Sequence, residues 1–109
     1  MTRRGLGEFE HQVMLAILRL GGEAYSVSLV LELEERSGRE VAQAAVFIVL
    51  RRLEEKGLLS SRLEEAEESS SGRTRRYFKL ESEGMERLKE SRRVLVRFWD
   101  GIDDVLEDA

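Results

Sequence analysis

The spacing of hydrophobic positions changes period twice along the chain. From Glu8 to Leu20 the apolar residues Phe9, Val13, Ala16, Ile17 and Leu20 form the stripe of an amphipathic helix, which Gly21-Gly22 ends. A second helix is predicted from Ser26, taken as its N-cap, with Val27, Val30 and Leu31 on one face and Leu29 and Leu33 beside them. Arg36 lies in its last turn, and Gly38 sits where a left-handed C-terminal residue belongs. A third runs from about Ala42 to Lys56, turns Val46, Val49, Leu50 and Leu53 inward, and stops at Gly57. The period then shortens to two. Leu59 and Leu63 bracket Ser61, and beyond a glutamate- and serine-rich loop Phe78 and Leu80 alternate with Tyr77 and Lys79, which predicts a β-hairpin. From Glu81 the pattern is helical again for about 28 residues, or about 42 Å.

That last segment carries a heptad seam. Met85, Arg92, Trp99 and Leu106 recur every seven residues, with Leu88, Leu95 and Ile102 interleaved and Val94, Phe98 and Val105 widening the apolar face. A helix that long cannot bury such a face on one small domain, so a homodimer is expected, anchored by Phe98 and Trp99. Phe9 and Met14 of the first helix are candidates for part of the partner surface. The competing reading folds the helix back onto its own domain. Gly101 weakens the helix by about 1 kcal/mol, so a bend there is expected to be tolerated.

At 109 residues the chain suits one compact unit with a single core. No apolar run approaches the roughly 20 residues a membrane span requires, and no signal peptide is recognisable, so a soluble, cytoplasmic protein is expected. Cysteine is absent and His11 is the only histidine, read as a surface residue, so no metal site or catalytic pair can be assembled from them. No glycine-rich phosphate loop occurs. An enzyme and a bound cofactor are therefore not expected. The net charge is −4, but residues 97–109 hold five acids against one base, which leaves the rest of the chain neutral overall.

Within that neutral remainder, "SSSGRTRRYFKL" (Ser69–Leu80) holds Arg73, Arg75, Arg76 and Lys79 and no acid. Three helices followed by a hairpin is the order of a winged helix-turn-helix. There the third helix approaches the major groove of duplex DNA and the hairpin, or wing, reaches the flanking backbone. Guanidinium groups on a wing suit phosphate contacts. The plain alternative is a solvated hairpin whose arginines balance the acids of Glu64–Glu68.

Three segments carry a family resemblance: "LGEFEHQVMLAILRLGGEAYSVSLVLELEERSG" (Leu6–Gly38), "AVFIVLRRLEEKGLL" (Ala45–Leu59) and "GRTRRYFKLESEG" (Gly72–Gly84). In this order and at these spacings the chain resembles the PadR-like transcriptional regulators. The resemblance implies a DNA-binding domain over residues 1–80 and a C-terminal dimerisation helix with an acidic tail over 81–109. It further implies a homodimeric repressor on a pseudo-palindromic operator, with room for a small-molecule effector at the dimer interface. By position, Gln43, Phe47, Arg51, Arg73, Arg75 and Arg76 are the DNA-binding candidates. Phe9, Met85, Leu88, Leu95, Phe98, Trp99, Ile102 and Leu106 are the dimer-interface candidates. Compared with the family pattern, Ala42 replaces a hydroxyl residue and Phe47 a tyrosine, and Ile48 and Val49 follow. Gln43 is then the base-reading side chain at this end, most naturally for adenine. Two other readings stay open: a dimeric interaction protein that has lost sequence-specific DNA binding, and a non-specific architectural DNA binder.

Overall fold

The computed structural model describes residues 5–64 and 74–107. Its elements are α1 (Glu8–Arg19), β1 (Glu23–Tyr25), α2 (Ser26–Ser37), α3 (Gln43–Glu55), β2 (Leu59–Leu63), β3 (Arg76–Leu80), α4 (Ser82–Trp99) and α5 (Asp103–Glu107). The architecture is mainly helical, with a small antiparallel sheet of order β1-β3-β2.

The first and third helices form as their stripes require. Val13, Met14 and Ile17 of α1 and Val46, Leu50 and Leu53 of α3 are sealed from solvent with Leu29, Leu58 and Phe78. Burial of each such side chain stabilises the fold by about 1.5–3 kcal/mol. Met14 is therefore core, and the expectation that it would supply partner surface is corrected. In α2 the buried pair is Leu29 and Leu33, while Val27 and Leu31 are exposed. Tyr25, not Ser26, holds the N-cap position of α2, and Ser26 is its first helical residue. Gly38 (φ 71°) and Gly57 (φ 78°) take the left-handed conformation at the two stops the sequence marked.

The hairpin has a third strand that alternation does not reveal. β1 pairs with β3 in the register Glu23↔Lys79, Ala24↔Phe78, Tyr25↔Tyr77, and β2 pairs on the other side as Ser60↔Lys79, Ser61↔Phe78, Arg62↔Tyr77, Leu63↔Arg76. Because side chains alternate across a sheet, Arg76, Phe78 and Leu80 face the helices and Tyr77 and Lys79 face outward.

The C-terminal helix is shorter than its period suggests. α4 ends at Trp99 after 18 residues, Gly101 takes φ 82°, and the short α5 follows. The seam continues in sequence across a break in the backbone, because a left-handed glycine cannot continue a right-handed helix. At its other end α4 is docked closely: Gly84 is buried where an added Cβ would lie 2.3 Å from the Leu58 carbonyl oxygen. No helix among the described residues is long and apolar enough to cross a membrane.

Candidate nucleic-acid interface

α3 starts without a side-chain cap: Ala42 occupies the cap position, and its carbonyl accepts from the amides of Ala45 and Val46 at 3.1 and 3.2 Å. Gln43, Phe47 and Arg51 then recur every fourth residue, in an exposed row that flanks the buried stripe of Val46 and Leu50. Each is held differently. The Gln43 side-chain amide donates to Ser26 Oγ at 3.2 Å, which ties the start of α3 to the start of α2. Phe47 packs edge-on against Phe78, with centroids 6.4 Å apart, yet remains 41% exposed. Arg51 Nε lies 4.0 Å from Glu54 Oε1, with over half its side chain in solvent.

Among the described residues, the wing arginines Arg75 and Arg76 have different partners. Arg76, the first residue of β3, turns to Ser61, and Arg75, just ahead of the strand, to Tyr25. Arg76 donates from Nη1 to Ser61 Oγ at 3.0 Å, and Ser61 in turn donates to Glu54. Glu54 thus links Arg76, through Ser61, to Arg51 on α3. Arg75 lies instead over the Tyr25 ring, 4.8 Å from its centroid, beside an edge-to-face Tyr25–Tyr77 pair at 5.5 Å. The Tyr77 hydroxyl, and then Tyr25, push the Arg75 guanidinium pKa upward, so it is a cation across the physiological range. On the same outer face Arg62 covers Tyr77 at 5.0 Å and donates to both oxygens of Glu23. Sequence reasoning missed Tyr25, Ser26 and Arg62, whose roles depend on a strand of three residues. Arg73 lies outside the described residues.

Between the start of α2, Phe47 and the base of the wing runs a groove of about 380 Å³, lined by Tyr25, Ser26, Val27, Phe47, Thr74, Arg75, Arg76 and Phe78. Val27 and Phe47 present apolar surface there, being 44 and 41% exposed, and Ile48, next to Phe47 on α3, is 57% exposed.

A second surface lies along α4. Leu95, Phe98, Trp99, Ile102 and Leu106 are exposed, Met85 and Phe9 are half-buried, and Leu88 is buried in the protomer's own core. Leu88 is therefore corrected from interface to core: its heptad position faces the domain on which the first turns of α4 dock. His11, expected at the surface, is half-buried and shares a hydrogen bond of 2.7 Å between Nδ1 and Ser91 Oγ, joining α1 to α4. Burial holds its pKa below 6.5. This contact borders a cavity of about 670 Å³ whose wall includes Leu6, Leu15, Arg87, Val94 and Leu95.

A family model described as the transcriptional regulator PadR-like family matches residues 14–90. Among solved structures, the chain is similar to a PadR family transcriptional regulator from Eggerthella lenta, with 30% identity and a TM-score of 0.69, covering 89% of this chain and 82% of that one. It is also similar to a PadR-like transcription factor from Bacteroides fragilis (27% identity, TM-score 0.65), covering 92% and 87%. A PadR-like regulator from Bacillus cereus shares the fold at 21% identity and a TM-score of 0.72, with 90% of each chain covered. No curated protein matches the chain.

Proposed function

The chain belongs to the PadR-like family of transcriptional regulators, a family of DNA-binding regulators rather than enzymes, and from that premise we propose a homodimeric, cytoplasmic repressor that recognises a pseudo-palindromic duplex operator. The observation that carries the reading is that the α3 stripe and the wing border a common groove: Phe47, Arg75 and Arg76 line it, and Gln43 is tied to Ser26 in its wall. In this reading Gln43 reads a base edge, Val27, Phe47 and Ile48 meet thymine methyl groups, and Arg51, Arg73, Arg75 and Arg76 neutralise phosphates. Held over Tyr25 and hydrogen-bonded to Tyr77, Arg75 presents its remaining N–H groups to a phosphate.

Dimerisation through Phe9, Met85, Leu95, Phe98, Trp99, Ile102 and Leu106 supplies the two-fold symmetry, with half-sites about one helical turn apart. Exposed apolar side chains gathered along α4 and α5 mark an interaction surface. Repression follows from occupying the promoter. The cavity between α1 and α4 would take a small-molecule effector beside that interface.

Titration of a mixed-sequence duplex at increasing salt tests the reading. Phosphate clamping predicts a log–log slope of about −0.9 per phosphate neutralised. Absence of binding at low salt would instead favour a dimeric interaction protein on the same fold.

A further inference from the structure

The outward side of α4 carries a basic stripe. Lys89, Arg92, Arg93 and Arg97 recur at helical spacing and are exposed, and with Val96 they line a groove of about 530 Å³. Lys89 lies 3.5 Å from Glu86 Oε1, but among the described residues no ion pair engages Arg92, Arg93 or Arg97. The stripe flanks the exposed Leu95–Trp99 surface, since Arg92 and Val96 are each three residues from Leu95 and Trp99 respectively.

The segment that follows has the opposite character. Residues 100–108 contain five acids and no base, interleaved with Ile102, Val105 and Leu106, which are 43, 65 and 53% exposed. The left-handed turn at Gly101 directs this segment away from the line of α4. Among the described residues its carboxylates Asp104 and Glu107 meet no cation of the stripe.

We infer that the acidic segment after Gly101 docks, in a second copy of this chain, on the Lys89–Arg97 stripe, so that two reciprocal charge contacts set the antiparallel orientation of the α4 pair. The inference rests on the dimer proposed above. Charge complementarity identifies the occupant. A cationic groove with an apolar floor at Val96 fits an acidic segment carrying apolar side chains, and two-fold symmetry supplies that segment twice. A parallel pairing would set stripe beside stripe and tail beside tail, which like-charge repulsion opposes. Opposite charges at the flanks of an apolar seam fix partner orientation in paired helices generally.

The test is reciprocal charge reversal in the full chain. One variant is Arg92→Glu/Arg93→Glu/Arg97→Glu, the other Asp104→Lys/Glu107→Lys. All the substituted side chains are exposed, and circular dichroism checks that each variant folds. Sedimentation equilibrium is expected to show each variant's self-association weakened about tenfold, because several exposed ion pairs give way to repulsion. Mixed together, the two variants restore both pairings, so native mass spectrometry is expected to find heterodimer well above the statistical half. Heterodimer at or below that half, with each homodimer as tight as the wild type, would overturn the inference while leaving the dimer intact. So would stripe reversal that weakens duplex binding and lowers its salt slope with dimerisation unchanged, since the stripe would then serve DNA. A wild type that sediments as a monomer at all concentrations would remove the dimer reading itself. The wild type gives an independent check: its dimer weakens between about 0.05 and 0.5 M salt, whereas a purely apolar seam would not.

Discussion

Arg75 lies over the ring of Tyr25, 4.8 Å from the centroid, and so fixes the base of the wing to the residue that caps α2. The stacking separates two contributions that sequence alone merges, the charge of the arginine and its placement. Replacing Arg75 with Ala is expected to weaken duplex binding and to reduce the salt slope by about 0.9, as when one fewer phosphate is neutralised. Tyr25→Ala removes only the support, so affinity is expected to fall severalfold with the slope retained. Titration of both variants over a salt series checks this. An unchanged slope in Arg75→Ala would mean that Arg75 holds the wing without touching phosphate.

Gln43 and Ser26 make a matching pair at the other end of the groove, joined at 3.2 Å. Gln43→Ala is expected to cost about 1–3 kcal/mol of discrimination at one base pair per half-site, leaving the others unaffected. Ser26→Ala, which frees the glutamine side chain, is expected to blur the same position to a smaller degree. Competition binding against single-base operator variants measures both. Loss spread evenly over all positions would argue that Gln43 touches backbone.

Gly84 is required by close approach, since its Cα faces the Leu58 carbonyl, which also accepts the Glu81 amide at 3.0 Å. Gly84→Ala is expected to destabilise the fold by about 1–3 kcal/mol despite the better helix propensity of alanine, because backbone must shift to admit the methyl group. Urea unfolding measures it, and a stabilised variant would show that α4 is not seated as described.

Acid is expected to weaken the domain in two stages. Burial keeps the folded pKa of His11 below 6.5, so as pH falls through 6.5 the unfolded chain takes the proton first. Stability declines from there until the lowered folded pKa is reached. Glu10 adds the lower stage. Burial pushes its carboxyl up, but the Gly7 amide and Lys56, each donating at 2.9 Å, overcome that and hold it below 4.5. Its contribution is present above 4.5 and is lost as pH falls from there through the folded pKa. Urea midpoints against pH should lose the upper stage in His11→Gln and the lower in Glu10→Gln. A wild-type profile flat from pH 7 to 5 would contradict the first.

Helical periods made α1 and α3 legible, and Gly38 and Gly57 marked stops that the backbone uses. β1 was not legible because three residues carry no alternation, and with it went the roles of Tyr25 and Arg62. The wing arginines read as a cluster because sequence adjacency hides the different partners of Arg75, over Tyr25, and Arg76, on Ser61. The heptad spacing runs through α4 and on across the break at Gly101, but a heptad does not say what covers it. Leu88 is taken by the protomer's own core while Leu95 and Trp99 remain exposed.

Whether this fold reads a symmetric sequence in duplex DNA is decided by selection from a random duplex pool at about 0.1 M salt. The expected product is a pseudo-palindrome with half-sites about one helical turn apart, bound less tightly but with unchanged sequence preference by Arg75→Ala/Arg76→Ala. A pool that yields no motif, from a chain that also fails to bind duplex at low salt, would contradict it.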